Sequence, residues 1–194
     1  MATRRRRLSP DERRAQLLDV GAELFATNRY EDVVIEEVAN RAGVSRALMY
    51  HYFPTKRDFF AAIFQRDSDL LKQTSEVDPE LPMLDQLLTS LDAHIDYFVD
   101  NPETALLVNR GALSGDPLIQ AIIAEELGVV RQRMLDAAGI EGHERAVASV
   151  ALQGWLVFVR AVCVEWLLHG AISRVELRDL CLRTLFSAVG ELGQ

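Results

Sequence analysis

Helix-opening signals recur along this chain from one end to the other, and no run alternates with the period of two that a half-buried strand requires. Ser9-Pro10-Asp11-Glu12 reads as a capping box with proline at the first helical position, and Ser173-Arg174-Val175-Glu176 repeats the box far downstream. Between them Thr55 follows a break at Pro54, Asn101-Pro102 and Asp116-Pro117 open further segments, and Gly43 and Gly139 close others. A chain punctuated in this way is expected to be all-α.

Each helical segment carries an apolar stripe with something to bury. Leu17, Leu18, Gly21, Leu24 and Phe25 mark the first, which should end near Asn28. A short helix fits Ile35 to Ala42, another runs from Ser45 to about Tyr52, and a fourth carries Phe59, Phe60, Ile63, Phe64, Leu70 and Leu71. Two short helices across a glycine turn, braced by longer ones, predict a helix-turn-helix. Past a break at Pro79 to Pro82, Leu84, Leu87, Leu88, Leu91, Ile95 and Phe98 share one face. A helix from about Glu144 to Leu168 is apolar nearly all round, and the last keeps its stripe from Leu177 through Leu180, Cys181, Leu185, Ala188 and Val189 to Leu192. The expected organisation is a helix-turn-helix domain over residues 1–66 and a larger helical domain over residues 67–194.

Charge divides the chain at the same place. The whole carries a net −8, yet residues 1–66 hold 12 Lys and Arg against nine Asp and Glu. A basic end on an acidic body suits a protein that meets a polyanion with one part only. The start, Met1 to Arg7, is basic where a secretory leader would turn apolar, so a cytoplasmic location is expected. The apolar stretch Gly154 to His169 is shorter than the about 20 residues of a membrane span and is interrupted by Arg160 and Glu165, which predicts a buried helix and no membrane partner. Cys163 and Cys181 fall on apolar stripes as reduced core residues. His51, His94, His143 and His169 have no ligand spacing, so neither a metal site nor a cofactor is expected.

One segment does not look like core. Ala42-Gly43-Val44-Ser45, preceded by Val38-Ala39 and followed by Tyr50-His51-Tyr52-Phe53 and Lys56, resembles the N-terminal DNA-binding domain of the TetR family of transcriptional regulators. In this reading the third helix offers Ser45 and Arg46 to base edges in the major groove, and Arg46 can donate twice to a guanine. Leu48, where the family more often has threonine, suits a thymine methyl. Tyr50 and His51 are placed for phosphate oxygens, and Lys56 with the Thr55-capped start of the fourth helix offers a second anion site. Phe53, Phe59 and Met49 read as core. Arg4 to Arg7 form either a solvated tail or a minor-groove arm. Two departures from the family pattern bear on the backbone. Arg29 stands where a glycine is usual, so Arg29 or Asn28 is expected to turn left-handed, and Val34 replaces a capping threonine.

The resemblance implies a dimer on duplex DNA, most often a repressor, and a small, hydrophobic effector bound by the larger domain. Leu152, Trp155, Val159, Leu182 and Phe186, on the last two helices, are the expected contributors to a two-fold interface. For the effector, polar residues on apolar stripes are informative: Arg110, His94 and Arg160, with Trp155 beside them. Arg110 is the first choice. Glu165 lies about 140° round the helix from Arg160, so those two can pair only through another helix or subunit. The alternative function is an all-helical enzyme or interaction adaptor using Tyr50, His51 and Lys56. No paired carboxylates or activated nucleophile in the larger domain support it, so the chain is expected not to be an enzyme.

Overall fold

A computed structural model describes residues 8–74 and 80–189, all helix and connecting turns, with no strand among them. Arg4 to Arg7 and Leu192 lie outside the described residues. The chain forms two compact units, one ending at Arg66 and one beginning at Asp67.

In the first unit, α1 spans Pro10–Thr27 and opens on the capping box read from sequence. Ser9 Oγ accepts from the Glu12 N–H at 3.1 Å, and Glu12 returns a carboxylate oxygen to the Ser9 N–H at 2.7 Å. The exit differs from the expectation. Asn28 (φ −134°) and Arg29 (φ −62°) are both extended, and no non-glycine residue among those described has positive φ. Instead of a left-handed cap, the Asn28 amide donates to the Leu24 carbonyl at 2.8 Å, which satisfies a terminal acceptor without glycine.

A 3-10 turn at Tyr30–Asp32 leads to α2, Ile35–Ala42, whose start at Val34 has no side-chain cap. Gly43 takes the left-handed conformation, φ +65°, and its N–H closes α2 onto Ala39 and Asn40. Ser45 Oγ then accepts from the Leu48 N–H and starts α3, Arg46–Tyr52. Thr55 caps α4, Lys56–Thr74, by accepting from the Asp58 N–H at 3.0 Å. Phe25, Tyr30, Phe53, Phe59, Phe60 and Phe64 form one aromatic cluster with neighbouring ring centroids 4.8–6.3 Å apart. Met49, fully buried, ties α3 into this core. Leu70, read as part of the α4 stripe, is 59% exposed.

The second unit holds the end of α4, then α5 (Met83–Asp100), α6 (Pro102–Asn109), α7 (Pro117–Ala137), α8 (Gly142–His169) and α9 (Arg174–Val189). Asp116 caps α7 through Leu118 and Ile119 N–H, and Ser173 with Glu176 opens α9. Asn101 does not cap α6 as expected. Its amide turns back to the Tyr97 carbonyl at 3.0 Å, which also accepts from the Asn101 N–H at the end of α5.

α8 is the central element, packed against α5, α6, α7 and α9. At 28 residues it is long and apolar enough to cross a bilayer, more so than the stretch 154–169 suggested. Its Leu152, Trp155, Leu156, Val159, Cys163 and Val164 are buried against neighbouring helices, as befits the core helix of a bundle.

Gly21 of α1 lies directly against the Phe59 and Ile63 side chains of α4. A β-carbon there would clash with the Phe59 ring and lie 2.7 Å from Ile63 Cδ1. Helix propensity alone favours Gly21→Ala by about 1 kcal/mol, whereas overpacking costs roughly 1–3 kcal/mol. The clash is expected to win, so Gly21→Ala should lower the urea midpoint with an unchanged m-value; a rise would show that the helices are not in close contact at this position.

Candidate functional site

The turn between α2 and α3 presents one face of α3 outwards. Ser45, Arg46, Ala47 and His51 are exposed, Leu48 and Tyr50 half-buried, and Met49 faces the core. Helix period turns Ala47 away from the buried Met49, whereas Ser45 and Arg46, four and three residues before it, share its side and are exposed at the start of the helix. The N-terminal end of α3 is thus the accessible end.

Arg46 is held in place before any partner arrives. Its Nε lies 2.9 Å from Glu36 Oε1 on α2, and its guanidinium carbon is 5.5 Å from the Tyr50 ring centroid. Glu36 did not stand out in the sequence; the signal lies only in the geometry of the turn, which brings the first turns of α2 and α3 together. Tyr50 is thus a platform for Arg46.

Lys56 likewise does more than the sequence indicated. Its Nζ donates to the Glu31 carbonyl at 3.1 Å and sits 4.6 Å from the Tyr30 ring centroid, fastening the 3-10 turn to the start of α4. Partial burial lowers its pKa, with Glu31 and Asp32 pulling the other way. Thr55 Oγ1 donates to Asp58 Oδ2 at 2.8 Å while accepting from the Asp58 N–H, so a carboxylate already occupies part of this helix start. Tyr52 donates to the Pro10 carbonyl at 3.3 Å.

In the second unit the four residues singled out for an effector separate into different surroundings. Arg110 lies just past α6, exposed, with Nη2 2.6 Å from Glu165 Oε2. Glu165 thus pairs with Arg110, and Arg160 finds Glu126 of α7 at 3.4 Å. Trp155 is buried with its Nε1 donating to the Cys181 carbonyl at 2.8 Å, which ties α8 to α9. His94 is on α5 with its Nε2 buried and unpartnered among the described residues, as is Tyr97 Oη three residues on.

Around them runs a buried polar chain. Ser68 Oγ donates to Glu126 Oε2 at 3.1 Å, Arg160 pairs with the other carboxylate oxygen, and the Arg160 guanidinium sits 5.7 Å from the Phe98 ring centroid. Burial raises the Glu126 pKa, with Arg160, Ser68 and Lys72 opposing it. Burial and then the charge of Arg160 push His94 down to about 3.

The expected interface residues divide by face. Leu152, Trp155 and Val159 are buried inside the chain, Leu182 is half-buried, and Phe186 is 52% exposed. Sequence reasoning missed the outer face of α8, where Val147, Val150, Gly154, Val157 and Ala161 are all exposed at alternating steps of three and four. An all-round apolar helix hides its outer seam in the same composition as its inner one.

With this geometry in hand, comparison with known proteins is informative. A family described as bacterial regulatory proteins, tetR family, matches residues 17–63. The chain is 30% identical over 154 residues to the HTH-type transcriptional activator FasR of Mycolicibacterium smegmatis, covering 75% of this chain and 69% of that protein. A tetR-family transcriptional regulator from Streptomyces coelicolor is similar in structure, with TM-score 0.82, 25% identity and coverage of 95% and 83%. The regulator FadR from Bacillus subtilis, solved in complex with stearoyl-CoA, shares the fold with TM-score 0.63 and 18% identity, covering 90% of this chain and 97% of that one.

The depressed His94 pKa makes a pH prediction. The unfolded chain takes up this proton near 6.5 and the folded chain does not, so folded stability should fall as pH drops from about 6.5 towards 3, at up to about 1.4 kcal/mol per pH unit. Glu126 acts with the opposite sign, over a window above the ordinary carboxylate pKa. Urea midpoints between pH 7 and 5 are expected to decline less for His94→Gln than for the parent; equal slopes would mean that His94 takes up its proton at the same pH in the fold as in the unfolded chain.

Proposed function

The chain belongs to the TetR family of transcriptional regulators, and from this we propose that it is a repressor that binds a palindromic duplex DNA site as a homodimer and releases it when a small, largely apolar molecule enters the second unit. The observation that carries the DNA-binding reading is the exposed first turn of α3, where Ser45 and Arg46 stand free of the core that Met49 anchors. An arginine there reaches guanine O6 and N7, and Leu48 beside it suits a thymine methyl. His51, Tyr50, Lys56 and the Thr55-capped end of α4 are assigned to phosphates, which fix register without reading sequence. The work is done where the DNA is, in the cytoplasm.

The dimer is assigned to the outer seam of α8 together with Leu182 and Phe186 of α9. Val150 and Val157 are 75% and 52% exposed, and an apolar seam of this kind across two adjacent helices suits a two-fold four-helix contact. Leu152, Trp155 and Val159 support it from beneath. The stearoyl-CoA bound by FadR favours an apolar effector for this chain as well. FasR is named an activator, so activation is the second reading, and a promoter fusion with and without the gene decides its sign.

Selection of bound duplexes from genomic promoter DNA tests the function directly, with half-sites about 34 Å, or a small multiple, apart. On the selected site Arg46→Ala should lose about 1–3 kcal/mol of discrimination at one base pair. Lys56→Ala should make the salt dependence shallower by about 0.9 in logarithmic slope for each phosphate that the lysine neutralises. A weakened affinity with an unchanged slope would place Lys56 in the Tyr30–Glu31 bracket alone.

For the interface, Val150→Glu with Phe186→Glu is expected to give a folded monomer by light scattering that no longer binds the full site. A dimer surviving both changes would move the interface elsewhere.

A further inference from the structure

Four buried side-chain atoms lack a hydrogen-bond partner among the described residues: Asp92 Oδ1, Arg178 Nε, His94 Nε2 and Tyr97 Oη. The first two belong to an ion-pair cluster. Asp92 Oδ1 is 3.1 Å from Arg174 Nη1, and Arg178 Nη1 is 3.2 Å from the other Asp92 oxygen. His94 and Tyr97 have no such explanation. They stand three residues apart on α5, a spacing that puts side chains on one face within reach of a single group. A buried donor or acceptor left unpaired costs about 1–3 kcal/mol, so two on one face is an arrangement that packing alone disfavours.

The surroundings decide what would pair with them. Phe98 lies beside both, with ring centroids 4.9 Å from His94 and 6.2 Å from Tyr97. The nearby cation, Arg160, is already faced by Glu126 at 3.4 Å, and Glu126 accepts from Ser68 as well. Burial raises the Tyr97 pKa, and the negative charges of Asp67 and Glu126 act in the same direction against Arg160. An added anion would meet two carboxylates and a guanidinium already matched. A neutral acceptor would meet a phenol donor, an imidazole and an aromatic wall.

We propose that His94 and Tyr97 form the polar subsite of the effector site, and that it takes an uncharged carbonyl carried on an apolar chain, discriminating against a free carboxylate. Tyr97 Oη donates to the carbonyl oxygen, and His94 Nε2 supplies the second contact to the same group, as its N–H tautomer. Phe98 packs against the adjoining carbons. This assignment rests on the ligand-responsive reading given above and narrows it to one face of α5; Arg110, on the surface with Glu165, has no part in it.

The test uses the full-length protein and two probes of equal length, methyl decanoate and decanoate, in titration calorimetry and thermal melts at pH 7.5. The parent should bind the ester at least ten-fold more tightly than the acid. Tyr97→Phe removes a hydroxyl that has no partner in the fold, so its melting temperature without probe should equal or exceed the parent's while ester affinity falls about ten-fold or more. His94→Phe should weaken ester binding too, and its folding is checked by circular dichroism.

Three results would overturn the proposal: a parent that binds neither probe, a parent that prefers the acid, or a Tyr97→Phe variant that melts lower without probe and binds the ester as well as the parent does. The last would mean that the hydroxyl is satisfied within the fold, by a bridging water for instance. DNA binding, measured separately on the selected duplex, keeps the two readings apart. Loss of the subsite leaves DNA binding intact, whereas a chain that binds ester and no duplex removes the regulator reading alone.

Discussion

The close approach of α1 to α4 at Gly21 governs the geometry of the first unit. With only hydrogen at that position, the Phe59 ring enters the space a β-carbon would fill, and the aromatic cluster from Phe25 to Phe64 closes around it. Interiors are packed densely enough that a shift of one methyl group is felt by its neighbours. Phe59 touches Phe53, which ends α3, and Met49 is buried within the same unit. The side chains on the outer face of α3 are therefore aimed by contacts made on its inner one. Loosening the α1–α4 contact would blur the positions of Ser45 and Arg46 without touching either.

Local chemistry was readable from the chain because it depends on a few adjacent residues. The capping boxes at Ser9 and Ser173, the left-handed Gly43, the start of α3 at Ser45, the Thr55 cap and the limits of α2 all form as the sequence indicates. Pairings across the fold were not readable. Glu126 and Arg160 lie 34 residues apart on successive helices, and neither neighbourhood names the other. The same holds for Arg46 with Glu36, and for Lys56, whose link to Glu31 spans 25 residues. The expected interface residues divide by face for a different reason: on a helix apolar all round, composition cannot separate Trp155, which faces α9, from Val150, which faces outwards. Asn28 shows the converse, since a side-chain amide does there what a left-handed backbone was expected to do.

In the second unit, the polar chain through Ser68, Glu126 and Arg160 sits where hydrophobic packing would serve stability at least as well. Replacing buried ion pairs with apolar residues is often neutral or stabilising, so this one contributes more to which arrangement forms than to stability. It fixes α7 against α8 in one register, since shifting either helix by a residue would strand a charge. It also sets the local field without adding net charge. That leaves the α5 face polar but neutral, which a lone arginine or a lone glutamate would not.

The ion pair between Glu36 and Arg46 has a further consequence for how such a protein finds its site. A DNA-binding regulator shares the cell with a vast excess of non-cognate duplex, and time spent bound there is time lost. Non-specific attachment is driven by cations neutralising phosphates. A carboxylate 2.9 Å from the foremost arginine offsets that charge and itself faces a polyanion. On an arbitrary sequence Arg46 would gain little by leaving Glu36, whereas a correctly placed guanine offers two acceptors to a fork already held in place. Glu36 would then lower the residence time on the wrong DNA more than on the right one, which shortens the search at a small cost in final affinity.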